Sequence, residues 1–243
     1  MFPALSKGRF EARLSTDTAD IEAAQRLRHK AFFDRAGRDA EALDAKCLHL
    51  LVEDRTSGRL MACCRILPLD AGHIGDSYSA RHYELSALQA FDGAMLEIGR
   101  FCGLPGATDP DILRIAWAML TLYVDENKIK MLFGCSSFAG TDVRDYLDSF
   151  AMLKERHLAP KRWRPQAKAP QVYSFAKRLR HKPDTKQAML HMPPLLRTYL
   201  LMGGWVSDHA VVDRQLNTLH VFTGLEVAAI PAARKRLLRA VAA

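Results

Sequence analysis

The stretch Ala94-Met95-Leu96-Glu97-Ile98-Gly99-Arg100-Phe101 reads as a β-strand that carries an acid and a base inside an otherwise apolar run. Strand side chains alternate, so Glu97 and Arg100 fall nominally on opposite faces unless a bulge at Gly99 re-aims one of them. Downstream, Asp109-Pro110 pairs an N-cap with a proline at the first helical position, which predicts a helix to about residue 127. That helix would bury Ile112, Ile115, Ala116, Met119 and Tyr123. Residues 129–135 form a compact apolar strand, and a further helix is predicted over 143–156. Strand, helix, strand and helix in succession mark an α/β protein.

Upstream, alternation over residues 9–14 predicts a strand, and Asp17 caps a helix predicted over 18–34. Its apolar positions Ile21, Ala24, Leu27, Ala31 and Phe32 recur at helical spacing. Residues 47–53 and 59–67 read as two strands of an antiparallel hairpin, turned by Asp54-Arg55-Thr56-Ser57-Gly58. Residues 68–81 read as a loop and 83–89 as a short helix. The prolines at 160, 165, 170 and 183 predict an irregular connection with short helical pieces. A helix over 194–202, a strand over 219–225 and a helix opened by Pro231 complete a mixed sheet flanked by helices.

The 243 residues hold 35 Lys and Arg against 27 Asp and Glu, a formal charge of +8. With 49% hydrophobic and 26% charged residues, the composition excludes a wholly disordered chain. No apolar run approaches the roughly 18 residues of a membrane span, and the first residues lack an uninterrupted signal-like apolar stretch. Five cysteines, odd in number and without a C-x-x-C pair, fit a reduced, cytoplasmic setting. The charge is uneven. From Lys154 to Lys186, eleven Lys and Arg face only Glu155 and Asp184, a local +9. The last twelve residues carry +4, which leaves −5 for the remainder. A basic stretch of this kind reads either as solvated surface or as a local docking site for an acidic partner.

Glu97 and Arg100 read either as an ion pair that braces the sheet or as a carboxylate and a guanidinium facing a cleft, since buried charges must be paired. Arg65 ends the hairpin's second strand and Arg28 interrupts a small or apolar helix face; taken alone, each reads as a snorkelling or paired arginine. The run Gly134-Cys135-Ser136-Ser137-Phe138-Ala139-Gly140-Thr141-Asp142 closes a strand with small residues and hydroxyls. It suits a thioester arm, or a plain strand–helix junction. The histidines lack metal-ligand spacing, and no metal is expected. Serine-hydrolase, Walker and Rossmann signatures are absent. The basic run matches no nucleic-acid module, having only Trp163, Tyr173 and Phe175 as interleaved aromatics.

Taken in order, these pieces resemble the ornithine lipid synthases, the L-ornithine N-acyltransferases that use acyl-(acyl carrier protein). These are distant members of the GNAT superfamily and relatives of the acyl-homoserine lactone synthases. The resemblance rests on Arg28-x-x-x-Phe32, Asp44-x-x-Cys47-x-His49-Leu50, Cys64-Arg65-Ile66-Leu67-Pro68, Tyr78-Ser79, Glu97-Ile98-Gly99-Arg100-Phe101-Cys102 and Phe133 to Asp142. In the tail it rests on Pro193-Pro194-Leu195-Leu196-Arg197-x-Tyr199-Leu200 and Ala210-Val211-Val212-Asp213. There are three departures, the first being that the loop Phe101 to Asp109 lacks the basic residues often seen before the following helix. The Q/R-x-x-G-x-G/A loop of coenzyme A users is absent, and so is the tryptophan that lactone synthases carry after the first helix.

The resemblance implies a GNAT-like, mostly antiparallel sheet with a helical C-terminal extension. The expected division is a core over 1–153, a basic insert over 154–192 and an extension over 193–243. It implies transfer of a 3-hydroxyacyl group from acyl carrier protein to the α-amine of ornithine, with another amino acid such as glutamine, or a homoserine lactone synthase, as alternatives. Glu97 would be the general base, with Arg100 beside it. Arg28, Phe32, Asp44, Arg65, Ser136 and Ser137 would bind substrate, and Arg162, Arg164 and Lys168 would meet the carrier protein. No cofactor is expected, because the phosphopantetheine thioester is a co-substrate. The implied location is cytoplasmic. The C-terminal helix, with Leu237, Leu238 and Val241 among four basic residues, reads either as a face that docks on anionic lipid at the inner membrane or as a helix packed on the body with its charges outward.

Overall fold

Asp17 accepts a hydrogen bond from the Ala19 amide and Asp109 one from the Asp111 amide, so both long helices begin where the sequence places their caps. The computed structural model describes residues 2–242, with side chains to 240. In chain order the elements are β1 (Leu5–Lys7), β2 (Phe10–Ser15), α1 (Thr18–Phe33), β3 (Leu48–Asp54), β4 (Arg59–Leu69), β5 (Tyr83–Glu84) and β6 (Met95–Gly103). There follow α2 (Pro110–Glu126), β7 (Met131–Ala139), α3 (Leu147–Arg156), β8 (Gln166–Ala167), β9 (Val172–Tyr173) and α4 (Phe175–Arg178). The last are α5 (Thr185–His191), α6 (Pro194–Leu201), β10 (Trp205–Val206), β11 (Ala210–Asp213), β12 (Thr218–Glu226) and α7 (Ala232–Ala242).

The chain divides into two compact units. The first comprises Met1–Pro68, Leu96–Ile129 and Ala232–Ala243. Its strands run in the order β1-β2-β3-β4-β6, and β1 to β4 pair antiparallel. The β3–β4 turn is held by the Thr56 amide on the Asp54 carboxylate at 2.9 Å, with Gly58 in the left-handed region at φ +65°. Ala24 and Leu27 of α1 pack on Leu51, Cys63 and Cys102, with Ala31 and Phe32 at the edge of this core. Helix α7 packs along α2, and Arg239 grips Asp125 with two bonds of 2.8 and 2.9 Å. Val241 lies outside the described side chains.

The second unit comprises Leu69–Met95 and Lys130–Pro231. Strand β12 pairs with β7 along the full length of both, and β11 and β10 share its other edge. Beyond β11 lies β9, while β5 and β8 form a separate ribbon. Phe138, Phe150 and Phe175 centre one core, and Tyr83, Phe133, Trp205 and Phe222 another.

Several sequence expectations change. Residues 83–89 do not form a helix. Tyr83 is fully buried with its hydroxyl donating to the His220 carbonyl at 2.8 Å, and the backbone pairs with β8 before a 3₁₀ turn at Ser86–Ala90. The strand expected to stop at 135 runs to Ala139, because β12 supplies ladder partners throughout. Ser136 and Ser137 therefore sit inside the ladder and not at a strand end. Strands β1, β8, β9, β10 and β11 are two to four residues long, too short to leave a periodicity. The basic segment belongs to the second unit's core through Phe175 and Leu179, so boundaries at 153 and 192 do not coincide with the division observed.

Candidate active site

In the first unit, three arginines and three carboxylates converge where α1, β4 and β6 meet the segment between α1 and β3. One turn of α1 places Gln25 and Arg28 on the same face, and both are buried. Arg28 donates from Nη1 and Nη2 to the two carboxylate oxygens of Asp44, both at 2.8 Å, and from Nε to Asp39 at 2.9 Å. It also donates to the Asp39 carbonyl. Arg65, on β4, reaches Asp44 at 2.9 Å and stands 2.6 Å from Glu41 Oε2. Arg100 donates to Glu41 Oε1 at 2.8 Å and has Nε 3.2 Å from Asp39. Glu41 and Asp44 form a capping box at the 3₁₀ turn Ala42–Lys46.

Arg100 joins this group through its backbone. Its φ of +54° lies in the left-handed region, which a non-glycine residue enters only at a cost of about 1–3 kcal/mol. The pleat is broken at Arg100 and not, as the sequence suggested, at Gly99. Gly99 faces Arg65, whose Nε would stand in ordinary van der Waals contact, at 3.7 Å, with a Cβ placed there. By alternation Glu97 shares that face of β6 with Gly99, and Arg65 and Arg100 meet on the Glu41 carboxylate. Glu97 is 4% exposed.

Burial alone would push the Asp44 carboxyl up, but Arg28, the Glu41 amide and Gln25 hold it well below the usual carboxylate range. With five donors on its two oxygens and 2% exposure, Asp44 is a brace, which leaves it no open position for a substrate. Arg28, 1% exposed, is the other half of that brace. His49 lies opposite Arg65 in the ladder and donates from Nε2 to the Asp44 carbonyl at 3.0 Å; burial pushes its pKa down. Burial pushes the Cys47 thiol up to about 11, with Arg65 and Glu97 acting on it in opposite directions. Cys64 and Cys102 are raised too, so none of these three is a thiolate nucleophile near neutral pH.

The structure thus brings together Arg100, Arg65, Arg28 and Asp44, with Glu97 near enough to Cys47 to act on its thiol, while Phe32 packs half-buried in the α1 core. Sequence reasoning missed Gln25, Asp39, Glu41 and His49 as members of the site. The available signal was the acid-rich spacing of 39, 41 and 44 in a segment without periodicity. The other expected residues belong to the second unit. Ser136 is buried and accepts from the Thr223 hydroxyl at 2.9 Å, and Ser137 is exposed on β7. Arg162 lies over the Trp163 ring, Arg164 donates to the Ala159 carbonyl and Lys168 to the Ala80 carbonyl. Among the described residues no three His, Cys, Asp or Glu side chains converge as metal ligands would.

The model of the acetyltransferase (GNAT) domain matches residues 22–118, which includes this whole network. The L-ornithine N(alpha)-acyltransferase of Rhodobacter capsulatus is 33% identical over 238 residues, 91% of each chain. That of Brucella abortus is 28% identical over 90% of this chain and 85% of its own. FeeM, an N-acyl amino acid synthase from uncultured soil microbes, shares the fold with a TM-score of 0.52 at 14% identity, covering 90% of this chain and 92% of its own. Fold, domain and relatives together define an acyltransferase of the GNAT class, with a mostly antiparallel sheet flanked by helices. Within that class, the chain belongs to the L-ornithine N(alpha)-acyltransferase family.

Proposed function

We propose that the protein moves a 3-hydroxyacyl group from the phosphopantetheine thioester of an acyl carrier protein to the α-amine of L-ornithine, the first step of ornithine lipid synthesis. The 33% identity to a named L-ornithine acyltransferase over nine-tenths of both chains carries the choice of acceptor. The chemistry is supported by a buried acid beside paired guanidinia. Counted as ionised, Glu97, Asp39, Glu41 and Asp44 outnumber Arg28, Arg65 and Arg100 by one, a balance that favours an ammonium ligand. Glu97 takes a proton from the α-ammonium, directly or through water, and the freed amine attacks the thioester carbon. A C–N bond forms, the tetrahedral oxyanion collapses, and the C–S bond breaks to release the thiol with a proton. Arg65 and Arg100 hold the α-carboxylate, since guanidinium forks match carboxylates.

The acidic carrier docks on Arg162, Arg164 and Lys168, and the enzyme works in the cytoplasm. Helix α7 keeps Arg234, Arg236 and Leu237 exposed, a composition suited to peripheral contact with anionic lipid. Among the described residues no helix is long and apolar enough to cross a membrane. Purified protein incubated with 3-hydroxyacyl-carrier protein and a panel of amino acids, read by mass spectrometry, tests the reaction. N-acylornithine is the expected product. Homoserine-lactone mass, or no product with any amino acid, overturns it.

A further inference from the structure

The three carboxylates of the arginine network are not equivalent. The Asp44 side chain is 3% exposed and Asp39 is 10% exposed, whereas Glu41 is 19% exposed and lies on the irregular segment between α1 and β3. Glu41 spends one oxygen on each of two arginines, Oε2 at 2.6 Å from Arg65 and Oε1 at 2.8 Å from Arg100. Its backbone is anchored separately, with the amide donating to Asp44 Oδ2 at 3.0 Å. The side chain also closes the capping box onto the Asp44 amide, so its rotation away from the two guanidinia opens that box, while the turn keeps the Glu41 amide on Asp44 and the Asp44 amide on the Glu41 carbonyl at 3.0 Å.

A carboxylate bridging two arginines beside Glu97 occupies the position that the reaction above reserves for the acceptor's own α-carboxylate. We propose that Glu41 is an internal occupant of this cradle, holding Arg65 and Arg100 in the resting enzyme and giving way to the α-carboxylate of the amino acid. The inference rests on the acceptor being an amino acid held by those two arginines, and it adds what fills the site beforehand. The exchange trades one carboxylate for another, so the buried guanidinia are never left without a counter-charge. It also excludes amines that lack a carboxylate, because they have nothing to displace Glu41 with.

The competition lowers apparent affinity by the fraction of enzyme whose cradle is open. If that fraction is about one-tenth, Glu41→Gln lowers KM for the amino acid about tenfold. The KM for the acyl donor stays unchanged. Independently of turnover, acetate binding followed by calorimetry without any acyl donor tightens by a similar factor in Glu41→Gln. Glu41→Asp keeps the charge count but is one methylene too short to span both arginines, and it gives an intermediate gain. This variant carries the test if Glu41→Gln loses its fold. Unchanged or weakened acetate binding in folded variants overturns the inference. A failure of acyl transfer to any amino acid, with acetate binding still tightened, would instead remove the assigned reaction and leave the cradle.

Discussion

Arg28, Arg65 and Arg100 are 1%, 3% and 8% exposed at their side chains, and each ends on carboxylates. In the second unit Arg164 and Lys168 end on backbone carbonyls, while Arg162 is 67% exposed and only 3.5 Å from Glu226. The two regions use the same residue types in opposite ways. Buried, a guanidinium is costly without its partners, so its position is fixed by them. On the surface the charge is already solvated, and what it offers is a field to an approaching partner. The sequence shows the second region far more loudly than the first, yet the chemistry proposed above belongs to the quiet one.

The sharpest way to break this contrast is Arg28→Leu. It removes one member of a buried group and leaves Asp44 and Asp39 short of a counter-charge, a loss of about 3–5 kcal/mol. A typical domain holds about 5–15 kcal/mol in all, so a loss of that size is a large fraction of it. The variant is expected to unfold near growth temperature, read as a collapse of Tm, and a Tm within a few degrees of the parent would show that the network is not a brace.

Glu97→Gln separates function from bracing within the same network. A general base contributes about 10²–10⁴ in rate, so kcat falls by that factor while the near-ultraviolet dichroism spectrum is retained. Near-full turnover in a folded Glu97→Gln protein would take the base assignment away.

Acid sensitivity reads the brace through the titration of its own members. The Asp44 carboxyl is held below its ordinary 3.8 in the folded state, so its stabilising contribution is complete above that value and is lost as pH falls toward the folded value. His49 acts earlier in the same direction. Its folded pKa is lowered from 6.5, so the unfolded chain takes up the proton first and stability declines as pH falls through that value. Tm measured against pH should show two declining stretches, the upper one removed in His49→Gln and the lower one in Asp44→Asn. An unaltered lower stretch in Asp44→Asn would place the acid lability elsewhere.

The fold was legible wherever a period or a cap spoke for itself. The β3–β4 hairpin, the caps at Asp17 and Asp109, and β6 all stand within about two residues of their expected places. Glu97, Arg100, Arg65 and Arg28 were legible as charges on apolar elements, because such charges must find partners. Their partners were not. Asp39 and Glu41 lie on a segment with no repeat, and only tertiary closure makes them ligands of Arg100, 61 and 59 positions away (100 − 39 and 100 − 41). Ser136 misled for the opposite reason. Small polar residues after an apolar run imitate a strand end, and the ladder partner that extends β7 arrives about 80 residues later, from β12.

The smallest expected effect belongs to the basic region. Exposed charges are worth about 1 kcal/mol or less apiece, so no single reversal there should change affinity more than about fivefold. Reversing Arg162, Arg164 and Lys168 together raises KM for the acyl-carrier donor and flattens its dependence on salt, while KM for the amino acid stays put. The three are not equal tests. Arg164 is half-buried and Lys168 is tied to the Ala80 carbonyl, so reversing either also removes a backbone contact. Arg162 is the cleaner reporter, because its contact with Glu226 is long and largely in solvent. Arg162→Glu alone, assayed at low and high salt, therefore isolates the field from the packing. If donor KM is unmoved at low salt, the segment is solvated surface, and the division of labour between the two regions reduces to buried chemistry on one side and solubility on the other.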